Sequence, residues 1–357
     1  RGFWTDNLFV NLGPNLDPES DFVHYVSPGL NLAREWPGDT RSITFAASYV
    51  PTWVIHSTKG QYDRDYHTVN GRLGLRLGEH NLGLGHTFSD TSEAATQVGV
   101  LAPQTINRTE LTYGTPLTGK MAFSATASQN LTDTDPTTFL QSLTLRQWQG
   151  TAFVDYDALT KTSVGLGGGG GYNQQEFSGR SLDLANEQIL ARLRYVATGK
   201  IIASLRGGVQ FNQALTDGYL DPDPVPVFGA SVNYQPRFGT GVVLSADRTA
   251  SAAQFFGGQF AEQTILNLGV TQRVYQTMSV AVRGGYSLGT FENLDPSVRN
   301  FSRDFTAWLA SVRFNWNPAR LDWLSGGIFY QFQDRNSDLP QDTFTNHQVG
   351  LTVDLRW

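Results

Sequence analysis

The sequence has no cysteine, two methionines and only four lysines among its 357 residues. Without cysteine, neither a disulfide framework nor a thiolate metal site can form. No apolar run approaches the roughly 18 residues a membrane-spanning helix needs, so a helical membrane protein is excluded. A membrane barrel is not, because its strands spread apolar residues over alternate positions. The six histidines show no H-x-x-x-H spacing, and a zinc site has no support. Neither a linker nor a shift in composition divides the chain, although a soluble chain this long usually splits into separate cores. The expectation is one domain over residues 1–357. The chain begins at Arg1 without a charged-then-apolar leader, so the expectation is that a signal peptide has been removed.

What the chain does have is alternation. Between Asn186 and Ala214, Ile189, Ala191, Leu193, Tyr195 and Ala197 alternate with Gln188, Arg192, Arg194 and Thr198. After Thr198-Gly199-Lys200, Ile201, Ala203, Leu205, Val209 and Phe211 alternate with Ser204, Arg206, Gln210 and Asn212. Successive strand side chains point to opposite faces, so each arm has one oily and one wet face. Gly199 is expected to supply the positive φ of a tight turn. A lone hairpin is marginal in water and implies a larger sheet.

The pattern recurs along the chain. Met121, Phe123, Ala125 and Ala127 oppose Ser124, Thr126 and Ser128, while Trp308, Ala310, Val312, Phe314 and Trp316 oppose Ser311, Arg313 and Asn315. Short turns fall near residues 36–40, 79–80, 118–120, 160–162, 198–200, 237–240, 276–277 and 317–320. Lys120, Lys161 and Lys200 sit on three of them, about forty residues apart. Longer polar connections are expected at Asn11–Ser20, Asp90–Thr105, Thr132–Thr138, Phe177–Ser181, Leu215–Pro224, Ala253–Ala261, Leu294–Phe301 and Asp334–Asp342. Short turns on one rim and longer loops on the other are the layout of an outer-membrane barrel, here of about eighteen antiparallel strands.

A soluble sandwich would alternate too. Two features favour the membrane. The strands outrun the 5–6 residues usual in soluble sheets, and Trp36, Trp53, Tyr113, Trp316 and Trp357 lie at strand ends, as interfacial girdles require. The final stretch, with Gly350 before Val353, Leu355 and Trp357, is similar to the C-terminal signal read by the barrel-assembly machinery. The fold class is therefore an all-β, transmembrane, up-and-down barrel with short periplasmic turns and longer extracellular loops.

Three stretches, Trp4-Thr-Asp-Asn7-Leu-Phe9, Ser27-Pro-Gly-Leu-Asn-Leu32 and Tyr49-Val-Pro-Thr52, resemble the opening of β-barrel porins of the "porin 2" type, which include barrels encoded with exopolysaccharide genes. The likeness covers about the first sixty residues. It implies an outer-membrane channel of Gram-negative bacteria, with polysaccharide export as a second role.

If the apolar face meets lipid, the opposite face lines the lumen. It carries Arg72, Arg76, Arg108, Arg192, Arg194, Arg206, Arg273, Arg283, Arg313 and Arg356, with fewer acids: Glu110, Asp155, Asp157, Asp247 and Asp354. Arginine rings in a pore favour anions. The expected function is passive diffusion of small polar solutes, anionic or sugar-like. The blander alternative is that these arginines pair with the acids and only stiffen the wall. Export of exopolysaccharide and a structural barrel anchoring an envelope complex are the other readings.

Gly285-Tyr-Ser287-Leu-Gly289 matches a hydrolase nucleophile pattern, but it lies in an alternating strand without the strand-to-helix turn that exposes such a serine. No enzyme is expected. The run Gly167–Gly171 lacks the lysine and helix of a phosphate loop and suits a strand closely approached by a neighbour. Asp221-Pro-Asp223-Pro, with Asp217 nearby, offers carboxylate oxygens to a divalent ion, though acidic loops are mostly just solvated. No cofactor or metal is expected. The expected partners are outer-membrane lipid and lipopolysaccharide, the assembly machinery and periplasmic or envelope proteins, with no nucleic acid.

Overall fold

Each alternating stretch becomes a ribbon with one oily and one wet side, and in the computed structural model these ribbons form one antiparallel sheet closed on itself. The structure describes residues 2–5, 20–91, 94–95, 100–101, 103–136, 142–296, 302–321, 323–338 and 343–356. The strands are β1 (Gly2–Thr5), β2 (Asp21–Val26, resuming as Leu30–Trp36), β3 (Arg41–His56), β4 (Arg64–Leu77), β5 (His80–Thr91) and β6 (Gln104–Pro116). They continue as β7 (Met121–Thr134), β8 (Leu143–Leu159), β9 (Thr162–Phe177), β10 (Arg180–Thr198), β11 (Ile201–Ala214) and β12 (Val225–Tyr234). The last six are β13 (Thr240–Ala252), β14 (Gln259–Tyr275), β15 (Met278–Asn293), β16 (Arg303–Trp316), β17 (Leu324–Ser337) and β18 (Phe344–Leu355). The two halves of β2 run along β3 end to end, one opposite Trp53–His56 and the other opposite Ile43–Tyr49, so the barrel has eighteen strands.

Closure falls to a short piece. Gly2–Thr5 pairs with Gln348–Leu351 of β18 on one side and Asp21–His24 of β2 on the other. This seam pairs the ladder groups of Asp21–His24 and Gln348–Leu351, as a hydrocarbon environment demands, while Leu30–Trp36 is paired on its β3 side only among the described residues.

The register settles the two faces. Leu166, Ile189, Leu205, Leu268, Val312, Ile328 and Leu351 are exposed and sit on the outward side. Aromatic rings border this apolar band: Trp36, Tyr156, Tyr195, Tyr234 and Trp316 near the short-turn rim, Trp53, Trp148 and Trp308 higher up. Three outward tyrosines meet a histidine on a neighbouring strand, with Tyr49 Oη 3.1 Å from His67 Nδ1, Tyr113 Oη 2.9 Å from His80 Nδ1, and Tyr330 Oη 2.8 Å from His347 Nδ1. These contacts satisfy the phenols while the rings stay in the apolar layer.

Several expectations need correction. Gly199 does not take a positive φ; the turn is held by the Lys200 N–H donating to Thr198 Oγ1 at 3.1 Å, beside a bulge at Val196–Thr198. Phe177–Ser181 is not a long loop. Ser178 and Gly179, with φ of 48° and 75°, make a two-residue turn of the type that needs both positive. Thr132–Thr134 and Asp334–Ser337 are strand, because the ladder runs past the membrane band. The turn expected at residues 317–320 extends to Trp323, and Ser57–Asp63 is an unanticipated connection with a short 3-10 turn. Trp357 lies outside the described residues. Gly350 faces inward under the Phe329 ring, while Val353 and Leu355 are exposed on the outward side.

Leu268 faces outward between Leu244 and Gly284. Leu268→Arg is expected to cost about 2–4 kcal/mol in lipid vesicles, measured by denaturant unfolding. Ser311→Arg, on the inward face, should cost far less.

Candidate functional site: the lumen wall

Cross-strand partners share a face, so the inward side can be read row by row. One row runs Asp155, Gly165, Arg192, Arg206, Gly229, Asp247 across β8 to β13. The row nearer the short turns runs Asp157, Ser163, Arg194, Ser204, Ser231, Ser245. On the loop side the next row is Phe153, Gly167, Leu190, Gly208, Val227. There the glycines leave room for the three apolar side chains to meet as a buried cluster.

Two like charges directly opposite one another are unfavourable. Arg192 and Arg206 are such a pair, and Asp155 relieves it. Asp155 takes Arg192 in a two-pronged ion pair, with Nε donating to Oδ1 at 2.6 Å and Nη2 donating to Oδ2. Arg192 Nη2 also donates to Ser124 Oγ at 2.8 Å, and its guanidinium lies 4.1 Å from the Phe153 ring centroid. Arg108 pairs with Glu110 at 3.1 Å.

The other inward arginines differ. Arg72, Arg76, Arg194, Arg206, Arg273, Arg283 and Arg313 make no ion pair among the described residues, and all seven are exposed. All lie within five residues of the short-turn end of their strands. Arg76 Nε donates to the Gly78 carbonyl at 3.3 Å. Arg356 is exposed beyond the end of β18. Of the acids, Asp157 is exposed, Asp247 half-buried, and Asp354 accepts from Ser325 Oγ at 3.4 Å.

The loop-side half of the lumen is filled differently. Ala250, Ala252 and Phe260 share a strand face with outward Leu244 and Leu266, yet they pack against Leu145, Leu182, Leu184 and Val225 of the inward face. The tip of the β13–β14 hairpin therefore leaves β12 above Phe228–Arg248, where their pairing stops, and tucks inside the barrel. Two buried glutamines hold it there. Gln175 Nε2 donates to the Ala253 carbonyl at 2.7 Å, and the Gly258 N–H donates to Gln175 Oε1 at 3.0 Å. Gln210 Nε2 donates to the Ala250 carbonyl at 3.0 Å. Gly258 has φ +74°, and Gly257 presses on the Phe177 ring, so neither place suits a side chain.

Two buried arginines that the sequence reading passed over belong to this packing. Arg303 lies between the rings of Phe256 (3.9 Å) and Phe291 (4.3 Å), and Arg335 over Phe305 (4.0 Å). Their signal was present: Arg335 continues the parity of Gln331 and Gln333. Across the barrel a second inward cluster joins Phe3, Val23, Val54 and Phe329.

Ser287 sits mid-strand in β15, facing inward opposite Ala307. Of the glycine run, Gly167, Gly169 and Gly171 face the lumen and are closely approached by Phe153, Thr151 and Asn186. Asp221 Oδ1 accepts from the Ala214 N–H at 2.8 Å, and Asp217, Asp221 and Asp223 do not gather into a metal-holding group among the described residues.

No protein-family model matches the chain, and no curated protein sequence does. Solved structures do resemble it. The copper transporter OprC superposes with a TM-score of 0.53 at 8% identity, over 98% of this chain and 64% of that one. The FrpB iron transporter of Neisseria meningitidis gives 0.50 at 9%, over 94% and 61%. The fold is that of a bacterial outer-membrane β-barrel. The chain spans less than two thirds of either transporter, and identities this low speak to fold alone. OccK10 (OpdN) of Pseudomonas aeruginosa aligns over 97% of its length but at a TM-score of 0.40, too low to argue from. Of what the porin 2 resemblance implies, the closed eighteen-strand outer-membrane barrel is what the structure shows. The outward apolar band and the closed antiparallel sheet place the protein in the outer membrane.

Replacing Gln175 by Ala orphans the Ala253 carbonyl and the Gly258 N–H, a loss of about 1–3 kcal/mol for each buried group. Hydrogen exchange should show Gly258 losing its protection while the β10–β11 ladder keeps its own.

Proposed function

We propose that this barrel is a passive channel for small polar solutes, with a preference for anions set near its short-turn end. The observation that carries this reading is the set of seven exposed, inward arginines without acidic partners. Arginine rings stabilise anions in a pore, and their effect is larger where low-dielectric walls focus the field. The alternative of a wall stiffened by ion pairs accounts for Arg108 and Arg192 but leaves these seven unexplained.

The inward hairpin tip bears on the choice between diffusion and polymer export. An export barrel needs a bore wide enough for a chain, whereas the β13–β14 tip and its loop occupy lumen space on the loop side. That arrangement supports selective diffusion of small molecules. The Ser287 pattern supports no hydrolase reading, since it lies in regular strand without an exposing turn.

In planar bilayers under a salt gradient, the reversal potential is expected to report anion selectivity. The combined variant Arg72→Gln, Arg283→Gln, Arg313→Gln should move the anion-to-cation permeability ratio toward one. Cation selectivity of the unaltered protein would end the proposal.

A further inference from the structure

The row Asp155, Gly165, Arg192, Arg206, Gly229, Asp247 is symmetrical in residue type: on each side a glycine separates an arginine from an aspartate. The two halves are not in the same state. On one side Asp155 and Arg192 close over Gly165 as an ion pair. On the other, Arg206 and Asp247 make no ion pair, although both border the space above Gly229. A Cβ at Gly229 would stand 2.9 Å from Asp247 Oδ1 and 3.5 Å from an Arg206 guanidinium nitrogen. This open half belongs to a recess of about 620 Å³ in the lumen wall, within the range of small-molecule pockets. Arg194, Asp157, Ser204 and Ser231 line the same recess, and Ser204 Oγ lies 2.7 Å from Ser231 Oγ.

The charges decide what fits. Arg192 and Asp155 neutralise each other, leaving Arg194 and Arg206 against Asp157 and Asp247. The recess as a whole is balanced, unlike the arginine-rich wall around it. A bare anion would gain from Arg206 and lose to Asp247. A hydroxyl donates and accepts at once, so adjacent hydroxyls can give a hydrogen bond to Asp247 and take one from Arg206.

We infer that the gap between Arg206 and Asp247, floored by Gly229, is a subsite for a neutral polyhydroxylated solute the size of one sugar ring. The inference rests on the channel reading for its purpose, but its geometry stands without it. Arg194, Ser204 and Ser231 extend the hydrogen-bonding surface, while the apolar row of Phe153, Leu190 and Val227 bounds it toward the loops.

The test is saturation-transfer NMR on the purified protein in detergent micelles, with glucose and glucuronate as probes, alike but for the carboxylate. Glucose is expected to bind. Arg206→Gln and Asp247→Asn should each weaken it about tenfold, the usual scale of one charge-assisted hydrogen bond. Gly229→Ala keeps both charges and puts a methyl group in the gap, so it should weaken glucose as well, whereas Ser128→Ala on β7 should not. Circular dichroism of each variant checks that the barrel is intact. Binding of glucuronate alone, or glucose binding unmoved by all three substitutions, overturns the inference. Bilayer current reads the channel separately: glucose binding without conductance ends the channel proposal and keeps the subsite, and conductance without glucose binding does the reverse.

Discussion

The barrel depends on a seam four residues long. The seventeen strands β2 to β18 pair with their chain neighbours at low cost in loop entropy, but Gly2–Thr5 must join Gln348–Leu351, almost the whole chain away. Without it, Asp21–His24 and Gln348–Leu351 would present unpaired N–H and C=O groups to lipid, each costing several kcal/mol on the scale of about 4–8 for transfer to an apolar medium. Side chains reinforce the joint. Phe3 packs inward with Phe329 and Val23, and Thr5 Oγ1 donates to Asn346 Oδ1 at 2.7 Å. Closure sends the apolar faces outward and leaves the polar faces around a lumen.

Inside that lumen the chain solves two different problems. Toward the short turns, long arginine side chains stand exposed without acidic partners among the described residues, which suits a passage for solutes. Toward the loops, the β13–β14 tip lies on the inward face of β8–β12 in two-layer packing, so a small apolar core forms where a simple pore would have none. Glycine makes both arrangements possible. Gly167 and Gly208 let Phe153, Leu190 and Val227 close together, while Gly165 and Gly229 give the charged row room to lie flat. The alternate glycines of the Gly167–Gly171 run serve as clearance for neighbouring side chains rather than as hinges or ligand loops.

Alternation makes most of this legible in the sequence. Which face Leu193 or Arg194 takes follows from parity alone, and so does the strand number once the short turns are laid out. The seam was not legible, because four residues carry too little periodicity to mark a strand. Nor was the break of β2 at Ser27-Pro28-Gly29 read as an interruption of one strand. Loop assignment was the main source of error. Polar stretches such as Asp334–Ser337 look like connections, yet the ladder continues through them, and Arg335 was lost with them. The tucked hairpin hid for a different reason: Ala250, Ala252 and Phe260 keep the outward parity and change surroundings only because the backbone curls inward. The open half of the charged row needed the pairing register across six strands, which no local pattern contains.

The absence of cysteine makes the inside-out arrangement directly measurable. Neighbouring single-cysteine variants, Gln188→Cys and Ile189→Cys, would be reacted in intact outer membranes with a charged, membrane-impermeant thiol reagent and with an apolar maleimide. The account predicts that the charged reagent reaches position 188 through the lumen, and that only the apolar one labels position 189. The reverse pattern, or equal labelling of both by the charged reagent, would contradict it.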